Sequence, residues 1–113
     1  MKNIINKYQT ILKAAKEEYR VNGRSQHFYN IEKRVIKTED PILNFVFARD
    51  VMGSDPIPHG KVVLEKGDAE INFRFATEVP GADIKAHISK LEEIGQHKLA
   101  SKVKQDLETF ELK

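Results

Sequence analysis

Residues 43–55 read LNFVFARDVMGSD, and residues 71–83 read INFRFATEVPGAD. A shift of 28 positions places the first stretch on the second without a gap, and the match continues to His59, which falls on His87. A fixed period of this length is typical of stacked supersecondary units. The sequence therefore predicts a small repeat protein, a class that usually binds its partners through an extended surface.

Each repeat is predicted to contain two helices. In the first helix apolar residues recur at every fourth position, and the same shift reproduces this stripe in a third copy; the three stripes are Leu43, Phe47 and Val51, then Ile71, Phe75 and Val79, then Leu99, Val103 and Leu107. This spacing puts the side chains on one face of a helix, which indicates a buried face. Phe45 and Phe73 are predicted to be core residues as well.

Aspartates and glycines mark the predicted ends of the helices. Asp55 begins the second helix, because Asp is a preferred N-cap and the following Pro56 suits the first helical position. A glycine in the left-handed conformation is predicted to close each helix of a repeat. These glycines are Gly53 and Gly81 after the first helices, and Gly67 and Gly95 after the second helices.

The predicted fold class is all-α, a small α-solenoid of helix-turn-helix repeats with about seven helices. The chain has 113 residues, which is the size of one domain. Residues 1–24 are predicted to form an N-terminal capping helix, residues 25–95 the repeats, and residues 96–113 a C-terminal capping helix. Capping helices of divergent sequence shield the two open ends of a repeat stack.

Composition narrows the class of protein further. The chain contains no cysteine, so disulfides and thiolate metal sites are excluded and a cytoplasmic location is expected. We find no continuous apolar run of the length that a signal peptide or a membrane span requires. No cofactor is expected.

The charge is distributed unevenly along the chain. Residues 1–38 carry a net charge of +6, residues 39–95 a net charge of −5, and residues 96–113 a net charge of +1. The N-terminal third is therefore a basic cap on an acidic repeat body. Such an asymmetry bears on the choice of partners rather than on the fold.

Two stretches resemble a known type of repeat. Residues 47–53 (FARDVMG) and residues 79–84 (VPGADI) are similar to the short α-helical repeats of the "FARDVxGADI" type found in bacteria and bacteriophages. The resemblance covers roughly residues 28–95, and the chain departs from the pattern at Pro56, Pro58 and Gly60. It implies a helical repeat fold and a phage or mobile-element setting, in which small proteins often bind and inhibit a host factor. It implies no active-site residue.

Three pairs of polar residues recur one period apart and are candidates for chemistry. His59 and His87 occupy equivalent positions, but neighbouring helices lie about 8–10 Å apart, so we interpret the histidines as packing residues rather than metal ligands. Asn44 and Asn72 are predicted to satisfy backbone groups between turns. Nothing in the sequence indicates a hydrophobic pocket that would separate the proton affinities of Asp50 and Glu78 for acid–base catalysis, so we interpret them as part of a solvated or partner-facing acidic surface. The protein is not expected to be an enzyme.

The leading hypothesis is a module that binds a host or phage protein. Its mechanism would be steric, with a preformed surface that covers a site on the partner. The predicted contacts are exposed positions between the apolar stripes, namely Arg49, Asp50, Arg74, Thr77 and Glu78.

Two alternatives stay open. The first is a nucleic-acid-binding module that uses the basic N-terminal third, with the residues Lys13, Lys16, Arg20, Arg24, Lys33, Arg34 and Lys37. Ordinary solvated helix faces would also explain these charges. The second alternative is a protein that assembles with itself, because an incompletely capped stack can pair end to end.

Overall fold

The computed structural model describes residues 2–111, and the side chains of residues 8–109. Residues 2–111 form seven helices joined by short turns. No strand occurs in this part of the chain. The helices are α1 (Lys2–Asn22), α2 (Gln26–Lys37), α3 (Pro41–Asp50), α4 (Pro56–Lys66), α5 (Ala69–Glu78), α6 (Ile84–Glu93) and α7 (His97–Glu111). The all-α prediction and the number of helices are confirmed.

The helices form two layers. α1, α3, α5 and α7 contact one another in succession and make up the first layer, and α2, α4 and α6 do the same in the second layer. Each helix also packs against its neighbours in the chain, and the molecule measures 39 × 35 × 21 Å. This is the arrangement predicted for a small helical repeat stack.

The core consists of three apolar clusters, each shared by neighbouring repeats. Phe28 and Phe47 lie in the first cluster, Phe45 and Phe75 in the second, and Leu91 in the third. All five are buried. Because each cluster draws side chains from successive helix pairs, the burial of one repeat depends on the presence of the next.

The prediction that Phe73 is a core residue was only partly right. Phe73 is half-buried at the edge of the third cluster, whereas Phe45 is fully buried. The ammonium group of Lys102 lies 5.5 Å from the centroid of the Phe73 ring. The ring of Phe45 is covered by both Arg49 and Arg74, whereas the short Thr77 stands at the position of Arg49 beside Phe73 and leaves that ring less covered.

Asn44 joins three successive helices. Its side-chain nitrogen donates to the backbone carbonyl of Val35 in α2 at 3.1 Å and to that of Asp40 at 2.9 Å. Its side-chain oxygen lies 2.6 Å from Nδ1 of His59 in α4. Since the amide hydrogens are directed to carbonyls, the oxygen accepts a hydrogen bond from the imidazole.

Asn72 repeats this arrangement one period later. Its side-chain nitrogen lies 3.2 Å from the carbonyl of Val63 in α4, and 2.9 Å and 3.3 Å from those of Asp68 and Gly67. Its oxygen lies 2.9 Å from Nδ1 of His87 in α6. The prediction that the repeated asparagines satisfy backbone groups is confirmed.

The two histidines are packing residues, as predicted, and both are fully buried. The ring of His59 lies 4.9 Å from that of Phe47, and the ring of His87 lies 4.8 Å from that of Phe75. Each imidazole therefore fills the core on one side and bonds to an asparagine at its edge.

Aspartates cap the N-terminal ends of the repeat helices, as predicted. The carboxylates of Asp40, Asp55, Asp68 and Asp83 accept backbone N–H groups at the starts of α3, α4, α5 and α6. α4 is continuous because Pro56 and Pro58 lie in its first turn, where a missing N–H leaves no hydrogen bond unmade.

Gly67 is the exception among the predicted left-handed glycines. The other three have positive φ angles, whereas Gly67 has a φ of −83° in an extended conformation. A Cβ atom at this position would lie 2.7 Å from the carbonyl oxygen of Val63. Close approach to the preceding turn, and not backbone handedness, therefore requires glycine here.

We predict that Asn72→Ala destabilises the protein by about 3 kcal/mol or more. The substitution leaves the buried imidazole N–H of His87 without its partner, which costs about 1–3 kcal/mol. It also removes the hydrogen bonds of the Asn72 nitrogen to three carbonyls, of which those of Val63 and Asp68 keep a backbone partner. Urea unfolding followed by circular dichroism measures this loss. The matched control is Asn30→Ala, because the exposed Asn30 side chain bonds only to Gln26 and its loss should change stability by less than about 0.5 kcal/mol. Equal stabilities of the two variants would contradict the role assigned to Asn72.

We also predict that Glu39→Gly stabilises the protein by up to about 1 kcal/mol. Glu39 has a φ of 56°, a left-handed conformation that costs an L-residue about 1–2 kcal/mol. Glycine adopts it freely, although its greater freedom in the unfolded chain offsets part of the gain. The control is Glu39→Ala, which removes the exposed ion pair with Lys66 but keeps the strain. If urea unfolding shows that Ala stabilises as much as Gly, backbone strain is not the cause.

Candidate functional site

Four of the five predicted contact residues form one ion-pair network across α3 and α5. Arg49 bonds to the carboxylate of Asp50 at 2.8 Å and 3.0 Å, and to that of Glu78 at 3.2 Å. Arg74 bonds to the same Glu78 carboxylate at 2.8 Å and 3.4 Å. The network therefore joins two successive repeats on the outer side of the first layer.

Phe45 supports this network from below. The guanidinium groups of Arg49 and Arg74 lie 4.9 Å and 5.0 Å from the centroid of its ring. The ring is buried, while the four charged side chains remain 29–40% exposed. Both arginines are thus held in a defined orientation by an aromatic face and by carboxylates.

Hydrogen bonds from the arginines keep both carboxylates ionised. Bonding to Arg49 lowers the pKa of Asp50, against partial desolvation, and the charge of Lys16 adds to the effect. Bonding to Arg74, and more weakly to Arg49, lowers the pKa of Glu78. The network of Arg49, Asp50, Arg74 and Glu78 is therefore formally neutral, with two fixed charges of each sign.

Thr77 lies beside this network but does not take part in it. Its hydroxyl group donates to the carbonyl of Phe73 in its own helix at 2.9 Å. The side chain is exposed and borders a shallow concavity between α5, α6 and α7, which Val103 and Leu107 also line.

A groove adjoins the network at the edge formed by the interhelical turns. Arg49 and Asp50 are among the residues that line it, together with Met52 and Pro80, which occupy equivalent positions in successive repeats. Met52 is 76% exposed. An apolar side chain therefore stands next to the oriented charges.

The structure divides the predicted basic patch between two faces. On α1, Lys16 is close enough to Asp50 of the first layer to influence its pKa, whereas Glu18 bonds to Ser25 at the start of α2 at 2.6 Å. Residues two apart in a helix point about 200° apart. Lys13, Lys16 and Arg20 therefore lie on the side of α1 away from α2, and they do not join the three cations of α2.

Arg24 is not a free cation of that patch. Its guanidinium group bonds to Glu32 at 3.1 Å and to the carbonyl of Gly53, and it lies 5.4 Å from the centroid of the Phe28 ring. Arg20 is also paired, with the Glu17 carboxylate. Arg24 thus anchors the turn between α3 and α4 instead of presenting its charge to a ligand.

Sequence reasoning missed the buried acid at the centre of this region. This acid is Glu32, which lies in the sequence directly before the predicted basic residues Lys33 and Arg34 but is only 2% exposed. Its carboxylate lies 3.1 Å from Nε2 of His59 and accepts the backbone N–H of Asp55 at 2.7 Å. Glu32 follows the buried Phe28 by four residues and precedes the buried Val35 by three. This helical spacing indicates that its side chain points inward, and it was the signal available in the sequence.

Glu32 remains ionised in spite of its burial. Desolvation favours the protonated form, but the hydrogen bonds from His59, from the backbone of Asp55 and from Arg24 together lower its pKa. In the next repeat Gly60 takes the place of Glu32, and a Cβ atom there would lie 3.2 Å from the Phe75 ring. The contact between Glu32 and His59 is therefore specific to the first repeat.

The described residues contain no group of three or more His, Asp or Glu side chains that could hold a metal ion. His59 and His87 belong to separate buried sites, each with its own asparagine. Within residues 2–111 no helix has both the length and the apolar character needed to cross a membrane.

The chain matches no protein-family model, no curated protein and no solved structure. Its function is therefore inferred from its own residues.

We predict that stability falls as the pH is lowered from about 6.5 to about 4, in part because of His87. Burial lowers the pKa of His87 to about 4, against the opposing charge of Asp83, whereas the ordinary value is 6.5. Between these values the unfolded chain binds a proton that the folded protein does not, so acid favours unfolding by up to about 3 kcal/mol. Above pH 6.5 the ring is neutral in both states and this contribution is complete.

The measurement is urea unfolding at pH 7 and at pH 5 for the wild type and for His87→Asn. Asparagine retains an N–H group for Asn72 but does not titrate, so the variant should lose less stability between the two pH values. The control is His97→Gln, which makes the same kind of exchange at an exposed position, and the pH dependence of His87→Asn is compared with it. An unchanged pH dependence in His87→Asn would refute this assignment.

Proposed function

We propose that the protein is a non-enzymatic binding module that recognises another protein through the outer face of its first layer. The observation that carries this proposal is the network of Arg49, Asp50, Arg74 and Glu78 above the ring of Phe45. It holds long charged side chains from two repeats in fixed positions while leaving them partly exposed.

Fixed charges are favourable for binding. Ordering a flexible side chain at an interface costs about 0.5–1.5 kcal/mol, and the cost is smaller where the free protein already holds the side chain in place. Arginine is also enriched in protein interfaces. The two arginines therefore favour recognition of a protein surface that offers complementary charges of both signs.

The groove beside the network supports the same function. Interfaces combine an apolar centre with a polar rim, and binding energy is concentrated where a side chain is desolvated. Met52 is strongly exposed beside Pro80, and Arg49 and Asp50 border the same groove. An apolar side chain of the partner would pack on Met52 while its charged neighbours pair with the network.

The proposed mechanism is steric. A repeat scaffold presents a preformed surface, so binding requires little rearrangement and covers the corresponding area of the partner. In this proposal the first layer carries the contacts, and the second layer completes the core that supports it.

We predict that the double variant Asp50→Lys with Glu78→Lys abolishes capture of the protein partner. The bait carries a photo-crosslinking residue in place of Thr77, which is exposed and bonds only to its own helix. Nuclease-treated lysate of the cells that produce the protein is irradiated, and crosslinked proteins are identified by mass spectrometry. The expected result is one stoichiometric partner with the parent bait and none with the double variant.

The matched control is Glu65→Lys with Glu92→Lys, which changes the net charge equally at exposed positions of the second layer. Loss of a partly exposed ion pair costs about 0–1 kcal/mol, so circular dichroism should show that both double variants are folded. The proposal fails if the first-layer variant captures the partner as well as its parent does, or if the control loses capture equally.

A further inference from the structure

The outward face of α2 is cationic. All side chains of this helix are described, and its exposed residues include Lys33, Arg34 and Lys37 but no acid. The single carboxylate of the helix, that of Glu32, points inward to His59. None of the three cations has an ion-pair partner among the residues that the structure describes.

An exposed aromatic ring lies within this face. Tyr29 is 45% exposed and belongs to none of the apolar clusters, unlike its neighbour Phe28. The ammonium group of Lys33 lies over its ring, 5.0 Å from the centroid. We call Tyr29, Lys33, Arg34 and Lys37 the α2 cationic face.

The next helix of the second layer, α4, continues the α2 cationic face only in part. In α4, Ile57 and Lys61 stand in the positions of Tyr29 and Lys33, and both are exposed. The position of Lys37, however, is taken by Glu65 in α4. The positive surface is therefore centred on α2 and is only a few residues wide.

We propose that the α2 cationic face binds single-stranded nucleic acid. Lysine and arginine neutralise backbone phosphates, and an exposed aromatic ring stacks on an unpaired base. Lys33 and Lys37 are one helical turn apart, about 6 Å along the axis, so they can serve different phosphates of one strand. An acidic protein segment would use the same three cations but would give the exposed ring of Tyr29 no comparable role.

This inference is independent of the protein-binding proposal. The α2 cationic face belongs to the second layer, whereas the network of Arg49, Asp50, Arg74 and Glu78 lies on the first. Protein capture and oligonucleotide binding are measured in separate experiments, so either proposal can fail alone.

The test is fluorescence anisotropy of a short labelled single-stranded oligonucleotide titrated with the purified protein. Three phosphate contacts on a single strand predict a slope of about −2 in a plot of log affinity against log salt. An increase in salt from about 50 to about 200 mM should therefore weaken binding about 20-fold.

Two variants separate the roles of charge and stacking. Lys33→Gln with Lys37→Gln should reduce the slope to about −0.7, because one phosphate contact remains. Tyr29→Ala should weaken binding about fivefold or more at every salt concentration and leave the slope unchanged, because stacking contributes about 1 kcal/mol or more per base. Circular dichroism should show both variants folded, since all three positions are exposed.

The matched control is Lys13→Gln with Lys16→Gln, which removes two exposed cations from the side of α1 that faces away from α2. It should retain the affinity and salt slope of the wild type. The proposal is overturned if the wild type shows no saturable binding at low salt, or if this control loses as much affinity as the α2 variant. Two further results would overturn the proposal in favour of a different polyanion. One is that a duplex of the same oligonucleotide binds equally well and Tyr29→Ala has no effect; the other is that polyglutamate of equal total charge displaces the oligonucleotide.

Discussion

The structure depends on two buried asparagines that form hydrogen bonds across the helix junctions. A backbone carbonyl oxygen has two lone pairs, so it can accept a side-chain donor in addition to a backbone N–H group. Asn44 and Asn72 use this capacity at equivalent places, since each donates to the preceding second-layer helix and accepts from a histidine in the following one. Each asparagine therefore links three helices by polar bonds inside an otherwise apolar core, and fixes how one repeat sits on the next.

The sequence predicted the features that are set locally or repeated. The N-cap aspartates and the apolar stripes are set by residues a few positions apart in the chain, and the repeat of 28 residues shows how many helices there are. Features that depend on how particular atoms pack together in the folded protein could not be predicted from the sequence. The burial of Glu32 and the half-exposure of Phe73 depend on contacts with other helices. The extended conformation of Gly67 is accompanied by its close approach to Val63 in the preceding turn of its own helix.

The candidate sites, too, were predicted only in part from the sequence. Exposed positions between the stripes could be chosen from the helical period, and four of those five residues lie in one network. The charge count alone could not show that six of the seven basic residues occupy two different faces, or that the seventh, Arg24, is bonded to the buried Glu32. In our proposals the neutral first-layer network and the acid-free face of α2 serve different partners, and the asparagine links hold both faces on one scaffold.

Native-state amide hydrogen exchange tests most directly whether the asparagine–histidine links couple the repeats into one unit. If they do, the slowest amides of α3, α4, α5 and α6 should exchange with the same opening free energy, because these helices would open together. The junction between α4 and α5 is decisive, since the bond from Asn72 to the carbonyl of Val63 crosses it. A lower opening free energy for α5 and α6 than for α3 and α4 would contradict the account, because the repeats would then unfold independently.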